Sequence, residues 1–144
     1  MIYGLAYSSR GLESFDDESL LELADNAASN NEKLGVTGYL FYRDELFMQY
    51  LEGEQAAVKD LMSRISKDSR HKILSTISLP SCPERVFPHW YMRFLGTDLP
   101  TSNAPTLEDE LAFILDTTSQ GNYESAEVAD AILHVTRRIA LLDW

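Results

Sequence analysis

Strand and helix patterns alternate along the first 95 residues of this 144-residue chain. Runs of strong strand formers, several with apolar and polar residues in alternation, predict five strands, and two stretches with helical spacing predict two helices. The order βαββαββ predicts an α+β fold of the ferredoxin-like type, a mixed sheet with both helices on one face. The predicted strands are 2–8, 36–42, 46–51, 73–79 and 90–95, and the predicted helices are 17–31 and 54–67.

The remaining residues predict a linker followed by two more helices. Residues 96–105 are rich in Thr, Ser, Asn and Pro, Thr106 is the expected cap of the first helix, and Gly121 separates it from the second. Apolar residues recur at intervals of four and three in the last helix, which favours a helix covering the second face of the sheet over a partner-binding helix. These residues are Val128, Ile132, Val135, Ile139 and Leu142. We therefore expect a domain over residues 1–95 and an extension over residues 96–144.

Charge and cysteine usage narrow the classes of partner and compartment. The net charge of −11 argues against nucleic acid and against an anionic membrane surface as partners. The single cysteine rules out an internal disulfide and is compatible with a reducing compartment. The sequence contains no apolar run of transmembrane length, and its N-terminus lacks the pattern of a signal peptide. We expect a cytoplasmic protein.

A glutamine, Gln49, interrupts the otherwise apolar strand 46–51. Strand alternation places it on the same face as Phe47 and Leu51. A primary amide buried there without a partner would cost about 1–3 kcal/mol, so protein, water or a ligand must satisfy it. A carboxamide offers two donor hydrogens and one acceptor oxygen, and rotation exchanges them. Gln49 is a candidate ligand-binding group, and the alternative is a core glutamine bonded to a neighbouring backbone group or tyrosine.

Other polar residues extend the buried faces of neighbouring elements. Tyr7 lies on the first strand, Asn30 and Asn31 end the core face of the first helix, and Arg64 and Asp68 end that of the second. Each has a simpler interpretation, as a core tyrosine, helix-terminating asparagines or a surface ion pair. Two helices over one sheet would nevertheless direct all of these groups into one space. Such a space suits a planar heteroaromatic ring with carbonyl groups and a ring nitrogen.

The sequence offers little support for hydrolytic or metal-dependent catalysis. The three histidines are scattered and lack the spacing of metal ligands. The G-x-S-x-G, H-E-x-x-H, P-loop and G-x-G-x-x-G motifs are all absent. Glu52 and Glu54 follow the Gln49 strand, where charged residues are expected to be solvated. The pattern favours a ligand pocket, and we expect a protein that is not an enzyme.

Several short motifs occur here in a characteristic order. The first three are Tyr7-Ser8-Ser9, Asn30-Asn31 before Gly35-Val36-Thr37-Gly38, and Gln49-Tyr50-Leu51-Glu52-Gly53. They are followed by Arg64, Asp68-Ser69-Arg70-His71 and Phe87-Pro88-His89-Trp90-Tyr91-Met92. With these motifs the chain resembles the BLUF domain, a blue-light sensor that uses flavin. The resemblance covers about residues 1–95, and the tail is similar to the two-helix extension of short, single-domain BLUF proteins.

The resemblance implies that FAD binds noncovalently between the two helices, with FMN and riboflavin as alternatives because they share the same ring. Tyr7 would be the light-driven electron and proton donor, and Gln49 would bridge Tyr7 and the flavin and rearrange its amide after excitation. Asn30 and Asn31 would hold the pyrimidine edge of the ring. The other flavin contacts expected are Leu23, Arg64, Asp68, Arg70 and His71.

The resemblance also implies a route for the signal. Trp90 and Met92, expected on one face of the fifth strand, match the relay segment of the family, and the sequence leaves open which of them lies beside Gln49. The signal is expected to leave through this strand, the linker and the last two helices to a protein effector, and a homo-oligomer such as a dimer is expected. Two alternatives remain: a small flavin-dependent redox protein or electron carrier, and a flavin-free binding module in which Gln49 and Tyr7 satisfy each other.

Overall fold

The computed structural model describes residues 1–96 and 104–142, with side chains from residue 107 onward in the second range. The predicted βαββαββ order and both C-terminal helices are confirmed, whereas residues 97–103 of the expected linker lie outside the described residues. The elements are β1 (Ile2–Gly11), α1 (Asp17–Leu34), β2 (Thr37–Arg43), β3 (Leu46–Gly53), α2 (Gln55–Ser66), β4 (His71–Cys82), β5 (Arg93–Leu95), α3 (Ala104–Gln120) and α4 (Ser125–Ala140).

The strands form one mixed sheet in the order β4-β1-β3-β2-β5. β1 pairs antiparallel with β3 and β4, β2 pairs antiparallel with β3, and β5 joins β2 in parallel. One face of the sheet packs against α1 and α2, and the other face packs against α3 and α4. Each face therefore has its own hydrophobic core, as the ferredoxin-like prediction with a covered second face requires.

The ends of α1 are set by local sequence. Asp16 and Ser19 form a reciprocal capping box at its N-terminus. At the C-terminus Gly35 adopts a left-handed φ of 69° and its N–H donates to the carbonyls of Asn31 and Glu32. Glycine adopts this conformation without a steric penalty, so the helix continues three residues beyond the predicted end at Asn31 before it stops.

The β2–β3 hairpin turns through two residues, Asp44 and Glu45, both with positive φ (52° and 67°). Positive φ at both central positions is typical of a type I′ turn, which follows the twist of the strands even though the favoured Asn-Gly pair is absent. The turn sets the register that pairs Leu40 with Gln49. On the other side of β3, Gln49 pairs directly with Tyr7 of β1.

β4 departs from its predicted alternation. Ser8 of β1 pairs with Ser75, but Ser9 pairs with Ile73, so β4 carries one extra residue at this point. Such a bulge reverses the face on which side chains lie. Ile73 consequently packs in the core beneath α1 and α2, whereas Ile77 packs in the core beneath α3 and α4. Regular alternation along the predicted strand 73–79 places Ile73 and Ile77 on one face of the sheet, and this prediction was wrong.

Other predicted boundaries also differ from the structure: β4, for example, spans His71–Cys82 where residues 73–79 were predicted. β1 continues through Gly11, because β4 pairs with it as far as that residue. α3 begins at Ala104, so Thr106 lies within its first turn and is not its cap. β5 is limited to Arg93–Leu95, and Trp90 and Met92 precede it. The alternation expected of a strand therefore does not apply to these two residues.

The apolar stripe of α4 covers the second face of the sheet, as predicted. Val128, Ile132, Val135 and Ile139 are buried in one core with residues of β2, β3 and β4, and Leu142 packs against its edge. A buried hydrogen bond of 2.8 Å between the hydroxyls of Tyr39 and Thr136 joins β2 to α4.

None of the helices in the described ranges combines the length and apolar composition that crossing a bilayer requires.

Truncation of Ile132 to alanine should destabilise the protein by about 2–5 kcal/mol, because the side chain is 1% exposed and its removal leaves a cavity between α4 and the sheet. Leu141→Ala is the matched control, since that leucine is 85% exposed and its truncation should cost less than about 0.5 kcal/mol. Urea unfolding measures both. Equal losses in the two variants would contradict the placement of α4 on the sheet.

Candidate functional site

A cavity of about 330 Å³ lies between α1 and α2 above the first face of the sheet. Its volume falls in the range typical of small-molecule sites. Nine of the eleven predicted site residues line it, and Trp90 and Met92 do not. The nine are Tyr7, Leu23, Asn30, Asn31, Gln49, Arg64, Asp68, Arg70 and His71.

Tyr7 and Gln49 form the floor of the cavity. The Tyr7 hydroxyl donates a hydrogen bond to Gln49 Oε1, and Gln49 Nε2 donates to the sulfur of Met92 at 3.1 Å. Both Tyr7 and Gln49 are buried. The amide therefore has its oxygen towards the phenol and its nitrogen towards the thioether. A half-turn of the amide would exchange these two groups and leave the sulfur facing an oxygen, which cannot donate to it.

Tyr7 is held in its neutral form. Burial raises the pKa of its phenol above the ordinary value, and the negative charge of Asp68 adds to the increase. The ring of His71 packs edge-on against the Tyr7 ring with 6.0 Å between centroids. Tyr7 thus keeps its proton, and can donate it to Gln49, over the ordinary pH range.

Met92 and Trp90 lie on opposite sides of the sheet. Met92 is buried in the core beneath α1 and α2, beside Gln49. Trp90 packs against the core beneath α3 and α4, where it stacks on Phe87 at 4.7 Å with 5° between the planes. The expectation that both lie on one face of a strand was wrong, because both precede β5 and follow no strand alternation. In this structure the neighbour of Gln49 is Met92.

α1 supplies amides to one wall of the cavity. Asn31 is 1% exposed, and its Nδ2 donates to the carbonyl of Tyr91 at 2.8 Å. This bond leaves Oδ1 as an acceptor for a ring N–H. Asn30 also lines the cavity but is exposed. Asn26 lines it too and was missed, although it lies one helical turn before Asn30 and therefore on the same side of α1.

The opposite wall carries an ion pair between Asp68 and Arg70. The Arg70 guanidinium donates to both carboxylate oxygens of Asp68, the shortest distance being 2.6 Å. These hydrogen bonds lower the pKa of Asp68 to about 2. Arg64 instead pairs with Asp60 at 3.0 Å, so the simpler interpretation of Arg64 and Asp68 as one surface ion pair was wrong. α2 ends at Ser66, and Asp68 consequently does not lie one helical turn beyond Arg64.

His71 is fixed by both of its ring nitrogens. Nε2 lies 2.9 Å from the carbonyl of Ile65, and Nδ1 lies 2.8 Å from the hydroxyl of Ser9. A carbonyl only accepts, so Nε2 carries a proton, and in the neutral ring Nδ1 accepts from Ser9. His71 therefore joins the end of α2 to β1 beside the cavity.

Glu52 contradicts the expectation that charged residues after the Gln49 strand are solvated. It is 1% exposed, whereas Glu54 is exposed as predicted. Alternation along β3 places Glu52 on the face opposite Gln49. The residue became buried because the chain between β4 and β5 folds back over it, a contact between parts of the chain 34 residues apart.

The cavity combines polar edges with apolar faces. Its amide, guanidinium and carboxylate groups stand at the two walls and the floor, and the apolar lining residues are Phe15, Leu23, Ala27, Leu34, Leu40, Phe47, Leu61 and Ile65. In the described residues no group of three or more histidines, cysteines or carboxylates is placed to hold a metal ion. The arrangement fits a flat heteroaromatic ring held at its polar edges.

Comparison with known families identifies the kind of heteroaromatic ring that this cavity fits. The family model "BLUF: Sensors of blue-light using FAD" matches residues 2–93. The chain belongs to the BLUF family. This family comprises flavin-binding blue-light sensors, so the sensor interpretation prevails over the redox carrier and over the flavin-free module. The donors and apolar faces of the cavity fit the isoalloxazine ring of FAD.

Relatives of two kinds are similar to this BLUF chain. Photoactivated adenylate cyclase subunit beta of Euglena gracilis is 31% identical over 108 residues, which are 75% of this chain but only 13% of that protein. The solved structure of BlsA in its photo-activated state is 27% identical, with a TM-score of 0.70 over 99% of this chain and 97% of that one. The dark-state structure of BlrB, a BLUF protein, is 26% identical, with a TM-score of 0.65 over 98% and 97%.

The Asp68–Arg70 pair should make the free energy of unfolding depend on pH in the acid range. Because the pKa of Asp68 is lowered in the folded protein, its stabilising contribution is present above its ordinary pKa of 3.8 and is lost as the pH falls towards 2. Wild type should therefore be more stable than Arg70→Ala at pH 5, and the two free energies of unfolding should converge near pH 2.

Urea unfolding between pH 2 and pH 6 tests this expectation. Arg64→Ala is the control, because it removes a more exposed pair on the neighbouring helix and should leave the acid dependence of wild type intact. A constant difference between wild type and Arg70→Ala across this range would contradict the role assigned to the pair.

Proposed function

We propose that Tyr7 and Gln49 are the photochemical pair of this blue-light sensor and that FAD occupies the cavity between α1 and α2. One observation carries the proposal: the hydrogen-bond chain from Tyr7 through Gln49 to Met92 lies on the floor of the cavity. An oxidisable phenol, an amide that can rotate and a thioether therefore follow one another along this hydrogen-bond chain.

The proposed contacts of the flavin follow the walls of the cavity. Asn30 and Asn31 of α1 would hold the polar pyrimidine edge, and Leu23 would pack against a face of the ring. Arg64, together with the chain that follows α2, would contact the opposite side, where the residues concerned are Asp68, Arg70 and His71. When bound, the flavin supplies the ring that absorbs blue light and accepts an electron.

Tyr7 suits the role of electron and proton donor. Burial keeps its phenol neutral, and its proton already lies on a hydrogen bond to Gln49 Oε1. A phenol that loses an electron becomes a strong acid, so its proton is drawn towards the acceptor with which it is already in contact. Electron loss at Tyr7 therefore acts first on the oxygen of Gln49.

Gln49 suits the role of switch because its amide has two hydrogen-bonding arrangements of similar kind. In the arrangement described, Oε1 accepts from Tyr7 and Nε2 donates to Met92. After rotation Nε2 would donate to the Tyr7 oxygen, and the Met92 sulfur would lose its donor. Met92 would then be free to move, and the change would pass to the segment that carries Met92 and Trp90.

We propose that the light signal leaves the flavin-binding domain through the C-terminal part of the chain. Residues 1–95 would form the flavin-binding domain, and residues 96–144 would carry the signal from β5 to a protein effector through α3 and α4. We expect no catalytic activity in this chain, and no nucleic acid or membrane among its partners. A homo-oligomer, with the dimer as its simplest form, and the cytoplasmic location both stay predictions.

The absorption spectrum of the purified protein, taken in the dark, under blue light and again in the dark, tests the proposed function. We expect flavin bands that shift slightly to longer wavelength and return in the dark. Mass spectrometry of the flavin released on denaturation distinguishes FAD from FMN and riboflavin. A flavin that bleaches, or that reacts only with an added reductant, would support a redox protein instead.

Tyr7→Phe and Gln49→Leu should each keep flavin bound and abolish the normal reversible shift, because the first removes the oxidisable phenol and the second the amide that rearranges. Tyr3→Phe is the matched control, since Tyr3 lies on the same strand face but bonds Ser78 at 2.8 Å. Light-minus-dark spectra of the three variants measure the effect. A normal shift in Tyr7→Phe or Gln49→Leu would refute the assigned role.

A further inference from the structure

Glu52 is a buried carboxylate near the end of β3, on the sheet face opposite the cavity, and its two oxygens accept four hydrogen bonds. Oε1 accepts from the Tyr50 hydroxyl at 2.9 Å and from the Val86 N–H at 2.8 Å. Oε2 accepts from the Thr37 hydroxyl at 2.9 Å and from the Phe87 N–H at 2.7 Å. Loss of the carboxylate would leave these donors buried without a partner.

The two peptide donors belong to the 85–92 segment, which leads from β4 to β5 and carries Met92. The segment contains neither helix nor strand, so it has no hydrogen-bond ladder of its own. Separate contacts hold it instead. The Arg85 guanidinium donates to the carbonyl of Gly35 at 2.6 Å, the carbonyl of Trp90 accepts from a β2 peptide N–H at 2.7 Å, and the carbonyl of Tyr91 accepts from Asn31 Nδ2 at 2.8 Å. Its position depends on a few named bonds.

We propose that Glu52 is a positioning residue for the light response: its carboxylate holds the 85–92 segment so that the Met92 sulfur meets the Gln49 amide. The inference rests on the proposed function of Gln49. A thioether is a weak hydrogen-bond acceptor, so the 3.1 Å contact between Gln49 and Met92 cannot by itself fix an eight-residue segment. Two short hydrogen bonds from peptide N–H groups to the Glu52 carboxylate fix the segment at Val86 and Phe87, from which the chain runs on to Met92.

The position of the segment matters because it decides how strongly one amide orientation is preferred. With Met92 in place, Gln49 Nε2 has an acceptor and the described orientation is favoured. With Met92 displaced, that preference disappears, and the two orientations differ less in free energy. Glu52 touches neither Tyr7 nor Gln49 in this arrangement and acts only through the segment.

Glu52→Gln is the sharpest variant, because it keeps the size of the side chain and replaces one oxygen by an NH₂ group. That group would face a peptide N–H of Val86 or Phe87, and two donors cannot bond each other. Glu54→Gln is the matched control: the same change two residues later, at an exposed side chain that makes no capping hydrogen bond.

Two measurements on the flavin-loaded proteins test the proposal: the dark-recovery rate after a blue-light pulse, and the dark spectrum of ¹³C-methyl methionine. In Glu52→Gln we expect recovery slowed at least about fivefold, because the Gln49–Met92 contact must re-form on a segment that is no longer held. The Met92 methyl signal, assigned with Met92→Leu, should shift or broaden, while that of Met62 stays in place. Glu54→Gln should match wild type.

A recovery rate in Glu52→Gln that is faster than wild type, or within about twofold of it, overturns the proposal. A wild-type protein without a reversible shift overturns the proposed function instead, and the Met92 methyl signal then still decides whether Glu52 positions the segment. If Glu52→Gln does not fold, Tyr50→Phe removes one of the four donors. It should slow recovery by more than about twofold and move the same methyl signal, and wild-type behaviour in either measurement overturns the proposal.

Discussion

A buried amide between a phenol and a thioether is the interaction around which the site is built. Gln49 lies in the interior of the sheet, where an unsatisfied carboxamide would destabilise the fold. Tyr7 satisfies its oxygen and Met92 its nitrogen. The first partner comes from strand pairing, which places Tyr7 opposite Gln49. The second comes from a segment without regular structure, so the site joins a pair of hydrogen-bonded strands to a segment held by separate contacts.

The sheet separates the cavity from the C-terminal helices and also connects them. α1 and α2 enclose the cavity on one face, and α3 and α4 cover the other. The side chains of neighbouring residues in β3 point to opposite faces of the sheet, so Gln49 faces the cavity while Tyr50 faces α3 and α4. Tyr50 stacks on Tyr39, whose hydroxyl bonds Thr136 of α4. The cavity and the C-terminal helices are therefore separated by the thickness of one sheet, and two neighbouring residues of β3 connect them.

Sequence reasoning succeeded where local periodicity decides the outcome. Strand alternation placed Gln49 with Phe47 and Leu51, and the spacing of α4 predicted a helix that covers the sheet. It failed where chain segments distant in sequence meet. The bulge that turns Ile73 to the other face depends on pairing with β1, and the burial of Glu52 depends on the 85–92 segment folding back over it. Neither the bulge nor the burial of Glu52 can be read from the spacing of apolar residues within a single strand, because each depends on residues far away in the sequence.

The sequence by itself determined the order of elements, the two faces of each strand and the family, because periodicity and short motifs are properties of neighbouring residues. It also determined which polar side chains are available to one cavity. Only the tertiary structure decided that Met92 lies beside Gln49 while Trp90 stacks on Phe87, that Asp68 pairs with Arg70, and that Glu52 is buried. These outcomes depend on where an irregular segment runs, and such a segment follows contacts across the whole fold.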